Sequence, residues 1–242
     1  TNGELLGLVR APDAPIFGID VALQKARTAT LYSSASAGAE LLADPDPDVA
    51  DFVSAVRAFL GDPAALTGRT AFTDRAGGLL SRPYFPDGEL GRPPGPFSRP
   101  IAEFNPFSTG LQSALIQKDV RDHVGFILGA NPDVPQTCTR IGHPKKIANG
   151  IQIFPGSVPI YRGSQLVGGI GVSGDGIDQD DMISFLGLYN GGLRAGSIGN
   201  ADPAIRSDQI VVAVGQGVRL RYVNCPFSPF IGSDVQNACE GK

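Results

Sequence analysis

The sequence predicts an α+β fold in which antiparallel strands pack with helices and long ordered loops join them. Three observations carry this expectation. Gly (32) and Pro (20) are together about a fifth of the 242 residues, well above ordinary usage, which disfavours a helical bundle. Several windows repeat apolar residues at helical spacing, and two pairs of apolar runs are joined by tight Gly-containing turns. Hydrophobic residues at 42% and charged residues at 18% allow a sizeable core.

The elements follow in order. Thr1-Asn2-Gly3-Glu4 is turn chemistry leading into Leu5-Leu6-Gly7-Leu8-Val9, which reads as the second strand of a hairpin whose first strand precedes the chain. That suggests a piece of a longer precursor or an arbitrary boundary. From Ile16 to Ser33, Ile19, Ala22/Leu23, Ala26 and Thr30 form one small-residue helical face, suited to close packing on a sheet. Asp44-Pro45-Asp46-Pro47-Asp48 opens a second helix: Asp46 can cap, Pro47 fits the first turn, and Gly61 ends the stripe Val49, Phe52, Val53, Val56, Leu60. The same aspartates lack the Gly and Glu of a calcium loop, since Val49 and Ala55 stand at those positions.

A short helix is expected at Thr73-Asp74-Arg75. The Pro/Gly-rich stretch 82–100 reads as an ordered loop, because Tyr84, Phe85 and Phe97 favour burial. Thr109 is positioned to cap a longer helix to about Leu128, ended by Gly129. Val158–Arg162 and Gln165–Val172 flank Gly163-Ser164, a hairpin signal. Asp178 is the expected N-cap of the next helix, with Asp181 at N3. Ile210–Val214 and Val218–Val223 form a second pair around Gly215-Gln216-Gly217.

Several function classes are disfavoured. No apolar run reaches about 18 residues, so no helical membrane span is expected. A net charge of −4 without a Lys/Arg cluster argues against nucleic acid and anionic membranes. Cys138, Cys225, Cys239, His123 and His143 do not group as zinc ligands do. Gly169-Ile170-Gly171-Val172-Ser173-Gly174 fits GxGxxG, but Asp175 would repel a pyrophosphate and the strand follows a hairpin. The glycines are better explained by close helix–strand packing. Ser173 lies outside GxSxG and has no evident His base, and Thr1 reads as a turn residue before an N-terminal nucleophile. Cys225 and Cys239 are the preferred disulfide in an oxidising compartment; Cys138 paired with either, with a cysteine outside the chain, or left as a thiol stays open.

Three segments resemble the GlcG/HbpS family of haem-binding proteins, related to the PduO C-terminal domain: Gly3–Ala14, the Ala22-Leu23-Gln24-Lys25-Ala26-Arg27-Thr28-Ala29 helix, and Pro155–Ile160 with Gly168–Gly174 and Gln179-Asp180. The resemblance implies a profilin-like antiparallel sheet flanked by helices, built from 1–34 and 152–190 and lacking the family's first helix and strand. Residues 35–151 then form a helical, Pro-rich insertion, and 191–242 a hairpin and Cys-containing tail packed on the core.

It further implies a secreted or periplasmic module that could hold haem or a related tetrapyrrole. The expected pocket lies near Lys25, Arg27 and Thr28 and the loop Pro155-Gly156-Ser157, where cations could meet propionates. His123 and His143 are candidate axial ligands, with Cys138 and Met182 as conventional alternatives. No resident metal is expected otherwise. An oligomer, or a partner chain completing the sheet beside residues 4–10, is also implied. The alternatives are a scaffold subunit of an extracellular assembly and a haem-degrading or small-molecule enzyme, though no nucleophile, base and orienter group together and no catalytic residue is assigned.

Overall fold

The computed structural model describes all residues except 87–89, 106–109, 136, 140, 142–145 and 175. The proposed Thr109 cap and His143 lie outside the described residues. The α+β expectation holds, with small antiparallel sheets among six α-helices in the described residues.

Helix α1 spans Gly18–Tyr32 and is followed by the short α2, Ala37–Leu42, which periodicity over so few residues does not reveal. Helix α3, Pro47–Leu60, starts as expected: Asp46 accepts a hydrogen bond from the Asp48 N–H, Pro47 sits in the first turn, and Gly61 closes the helix at φ +63°. Helix α4, Asp74–Leu80, is capped by the Thr73 hydroxyl, which accepts from the Ala76 N–H. Helix α5 is Leu111–Ile127.

The expected hairpin forms from β1 (Ser157–Arg162) and β2 (Gln165–Gly171), with Arg162 opposite Gln165 at the turn; an irregularity between Ile160 and Tyr161 then shifts the register by one, so that Val158 faces Ile170 and Pro159 faces Gly169. Helix α6, Ile177–Ala195, follows. The second apolar pair narrows to β3 (Val211–Val212) and β4 (Val218–Arg219).

Helix α1 lies against the β1–β2 hairpin because β2 has almost no side chains where they meet. A Cβ on Gly171 would come within 2.0 Å of the Ala22 carbonyl oxygen, and one on Gly169 within 2.4 Å of the Ala26 oxygen. Both clashes are with backbone, which cannot rotate away. The GxGxxG-like string is therefore a packing surface.

Two hydrophobic clusters result. The larger unites α1 through α5 around Leu31, Tyr32, Val53, Leu80 and Leu111. The smaller joins the hairpin to α6 and the tail through Val158, Tyr161, Phe185 and Tyr222. The Pro/Gly-rich stretch is ordered as its aromatics demand: Phe97 stacks on Tyr32 at 5.4 Å, and Phe85 meets Phe59 edge-on at 5.0 Å. Tyr84 is only partly buried. In the tail, the Arg206 guanidinium stands 5.2 Å from both the Phe185 and Tyr222 rings, and Cys225 and Cys239 are bonded as expected.

Two expectations are corrected. Residues 4–10 do not form a strand; they are irregular, with Leu6 and Val9 almost fully exposed. What ties this segment to the body is a side chain: Arg27 Nε and Nη2 donate to the Gly3 carbonyl at 3.0 and 2.7 Å. The N-cap of α6 is Gly176, without a side-chain acceptor. Asp178 and Asp181 are drawn instead to Arg75, since charge-assisted hydrogen bonds exceed an exposed cap in strength.

Gly171→Ala is expected to cost about 1–3 kcal/mol of unfolding free energy, as overpacking does. Gly168→Ala, whose Cβ meets nothing within 4 Å, should stay within about 0.5 kcal/mol. Urea unfolding of both variants checks the contrast; equal losses would contradict the packing role of Gly171.

Candidate functional site

Two arrangements stand out: a buried network of charges and an open cleft on the α1–β2 side.

The network begins on α1. Lys25 is 2% exposed, and its ammonium donates to Asp180 Oδ2 at 2.9 Å and to the Val172 carbonyl at 2.8 Å. Gly156 lies directly over it: a Cβ there would fall 2.8 Å from Lys25 Nζ and 2.7 Å from Asp180 Cβ, and its φ of +130° already favours glycine. On the neighbouring turn of α6, Asp181 Oδ2 accepts from Arg75 Nε at 2.8 Å and from the Asn224 N–H at 2.9 Å. Arg75 Nη2 binds Asp178, whose other oxygen accepts from Asn224 Nδ2. Ser157 is fully buried and its hydroxyl accepts from the Asp74 N–H at 3.2 Å.

Asp74 is wholly buried, and neither carboxyl oxygen makes a hydrogen bond of normal geometry. Burial pushes its carboxyl well above the usual range, with the Lys25 charge opposing. Burial likewise pushes Asp181 up to about 6, against the opposing pull of Arg75. These contacts knit α1, α4, α6 and the β1 entry into one unit.

The cleft has a volume of about 470 Å³, within the range of small-molecule sites. One wall is Thr1 and residues 3–8. The floor is the small-residue face of α1 (Ala22, Leu23, Ala26) and the outer part of β2 from Val167 to Gly171. Ile160 and Ile198 extend its apolar surface, while Arg27, Arg162 and Glu4 supply charge. The opening segment and the downstream hairpin are thus spatial neighbours, although they share a cleft and not a ladder. Arg27 is held by Gly3 and by Asn149 Oδ1 at 2.7 Å; partial burial lowers its pKa, with Asp20 opposing. Arg162 is exposed at the end of β1.

The sequence-derived site residues therefore separate. Arg27 lines the cleft. Lys25, Gly156 and Ser157 belong to the buried network. The Thr28 hydroxyl donates to the Gln24 carbonyl and accepts from the Gln152 N–H. Pro155 lines a different, smaller cleft. His123 is exposed on α5, its Nδ1 2.7 Å from Asp133, and Met182 is buried on α6. Cys138 is an exposed thiol. Among the described residues no group of three or more His, Cys, Asp and Glu is placed to hold a metal ion.

Asp74, Arg75, Asp181, Asn224 and Arg162 were not foreseen as site residues. The aspartates of 178–181 read as helix capping, and nothing in local sequence joins them to Arg75, about a hundred positions earlier.

A model of the HbpS-like family, described as "Haem degrading protein HbpS-like", matches residues 107–188. The span includes β1, β2 and the first part of α6, and it supports the GlcG/HbpS-like resemblance. The Gly3–Ala14 and Ala22–Ala29 segments lie outside it. No curated protein and no solved structure matches the chain.

The raised Asp181 carboxyl fixes a sign. The folded chain holds this proton more tightly than the unfolded chain, whose ordinary value is 3.8. This group's contribution to stability is therefore highest below that value and declines as pH rises through about 6. Carboxyl-carbon NMR is expected to give Asp181 a midpoint near 6, and urea unfolding of Asp181→Asn should lose this downward slope. A midpoint near that of a free aspartate would contradict the burial argument.

Proposed function

We propose that the chain is a secreted or periplasmic binding module for a flat, apolar, carboxylate-bearing ligand of the haem or tetrapyrrole class. The carrying observation is the apolar α1–β2 cleft with Arg27 and Arg162 at its edge. The HbpS-like match supports the ligand class, and the Cys225–Cys239 bond is compatible with an oxidising compartment.

The fit is specific about its parts. Small residues on α1 and β2 offer a flat apolar floor for a macrocycle, the exposed Arg162 fork suits a propionate, and Arg27, engaged by Gly3 and Asn149, adds positive charge beside it. The cleft lining has no His, Cys or Met among the described residues, so conventional axial ligation does not come from its walls. Binding is accordingly assigned to the ring and its carboxylates. Lys25, Gly156 and Ser157 support the site by fixing α1 against the hairpin, and Thr28 by joining α1 to residue 152.

Haemin titration is expected to shift the Soret band at micromolar protein, and metal-free protoporphyrin should bind with similar strength. Arg162→Ala should weaken both roughly tenfold, the scale of one charge-assisted hydrogen bond. Absence of any spectral change with either porphyrin would remove this reading.

A second reading, an oligomer or a subunit of an extracellular assembly, is favoured by exposed apolar residues. Val120, Val124, Ile127 and Leu128 line the outer end of α5, with Phe227 and Ile231 in the tail. The outer edge of β2 also has no strand partner among the described residues, and a neighbouring chain could pair there. Native mass spectrometry is expected to show a species larger than one chain; a monomer at all accessible concentrations would contradict it.

A further inference from the structure

A second cleft, of about 170 Å³, opens between α4 and β4 and shares no lining residue with the α1–β2 cleft. Every charged residue that lines it is an arginine: Arg75, Arg82, Arg219 and Arg221. The convergence follows from two periodicities. Arg75 and Arg82 are seven apart on and just beyond α4, one helical face. Arg219 and Arg221 are two apart on the extended chain of β4 and its exit, one strand face. The two elements turn these faces toward each other.

The site is organised before any ligand arrives. Arg75 is about nine-tenths buried. Its Nε and Nη2 are fixed by Asp181 and Asp178, and its Nη1 has no hydrogen-bond partner among the described residues. Arg219 Nη1 donates to the Asp208 carbonyl at 2.8 Å, which aims the side chain without neutralising it. Neither Arg219 nor Arg221 has an ion-pair partner among the described residues. The first residue of α6, Ile177, also lines the cleft. That helix has no side-chain N-cap, so its dipole adds positive potential. Pro155 and Leu79 supply apolar walls.

We infer that this cleft binds a small oxyanion-bearing molecule, a phosphate or a polycarboxylate, through the guanidinium forks of Arg219 and Arg221, with the remaining Nη1 donors of the pre-fixed Arg75 beside them. Guanidinium groups match both oxyanions bidentately. The volume admits an inorganic phosphate, a small phosphate ester or a tricarboxylate, and is too small for a macrocycle. This goes beyond the tetrapyrrole reading and does not depend on it.

The test is calorimetric titration of the full chain with inorganic phosphate and, separately, citrate, at constant ionic strength. One saturable site is expected for at least one of them, and the tighter anion identifies the ligand's oxyanion. The double variant R219Q/R221Q, altered at two exposed positions, should weaken binding at least tenfold. The exposed control R69Q should bind as the parent does. Porphyrin titration of R219Q/R221Q should match the parent, which separates failure here from failure at the larger cleft. No saturable heat with either anion up to about 10 mM, or undiminished binding by R219Q/R221Q, would overturn the inference.

Discussion

The approach of α1 to the glycine face of β2 is the constraint from which the rest follows. With Ala22 and Ala26 backbone atoms seated where side chains would stand on Gly171 and Gly169, α1 lies low enough for Lys25 to reach past the hairpin edge to Asp180 on α6. A larger separation would leave that ammonium and carboxylate buried without each other, a loss on the order of 3–5 kcal/mol. Close packing and ion pairing therefore stabilise one geometry jointly. Gly156 is the third condition, since any side chain there would occupy the space of the Lys25 ammonium.

The charges inside this unit do not balance if every carboxylate is ionised. Lys25 and Arg75 face Asp74, Asp180 and Asp181, all of them buried. The excess falls on Asp74, which has neither an ion pair nor a well-formed hydrogen bond, and burial pushes its carboxyl well above the ordinary range. A neutral carboxylic acid is far cheaper to bury than a carboxylate. Asp181 is the intermediate case: it has Arg75 and the Asn224 N–H as partners, yet lies deep enough for its carboxyl to reach about 6. The network thus ties the tail, through Asn224, to the α4–α6 contact, and the Cys225–Cys239 bond begins at the next residue.

Much of the local structure was legible because it rests on short-range rules. The Asp46-Pro47 entry and Gly61 exit of α3, the start of α4 at Thr73-Asp74-Arg75, the Gly163-Ser164 turn and the Cys225–Cys239 bond each follow from residues close in sequence. The GxGxxG-like string packs α1 closely, as its place after a hairpin and before Asp175 implies. What failed was long-range. The apolar run Leu5-Leu6-Gly7-Leu8-Val9 after a turn resembles a strand, yet a strand needs a ladder, and Arg27 takes the Gly3 carbonyl instead. Asp178 has the composition of an N-cap, yet Arg75 from a distant helix outcompetes that role. The site separated for the same reason: Lys25 and Arg27 are two apart on α1 and so point differently, one into the network and one toward the cleft. The motif placed them together in sequence without fixing their directions.

The two clefts owe their contrasting chemistry to how each is walled. The larger is floored by residues that α1 and β2 must keep small in order to pack, so its surface is apolar by consequence, and charge enters only at Arg27, Arg162 and Glu4. The smaller is walled by a helix face and a strand face that both carry arginine, and its bound carboxylates, Asp178 and Asp181, sit behind Arg75 without lining the cavity. Pro155 lines the smaller cleft, Gly156 covers Lys25, and Ser157 meets Asp74. Three consecutive residues therefore touch the arginine cleft, the Lys25–Asp180 pair and Asp74 in turn. The segment 155–157 is thus fixed along its whole length, by the wall of the smaller cleft, by the Lys25–Asp180 pair and by the Asp74 N–H.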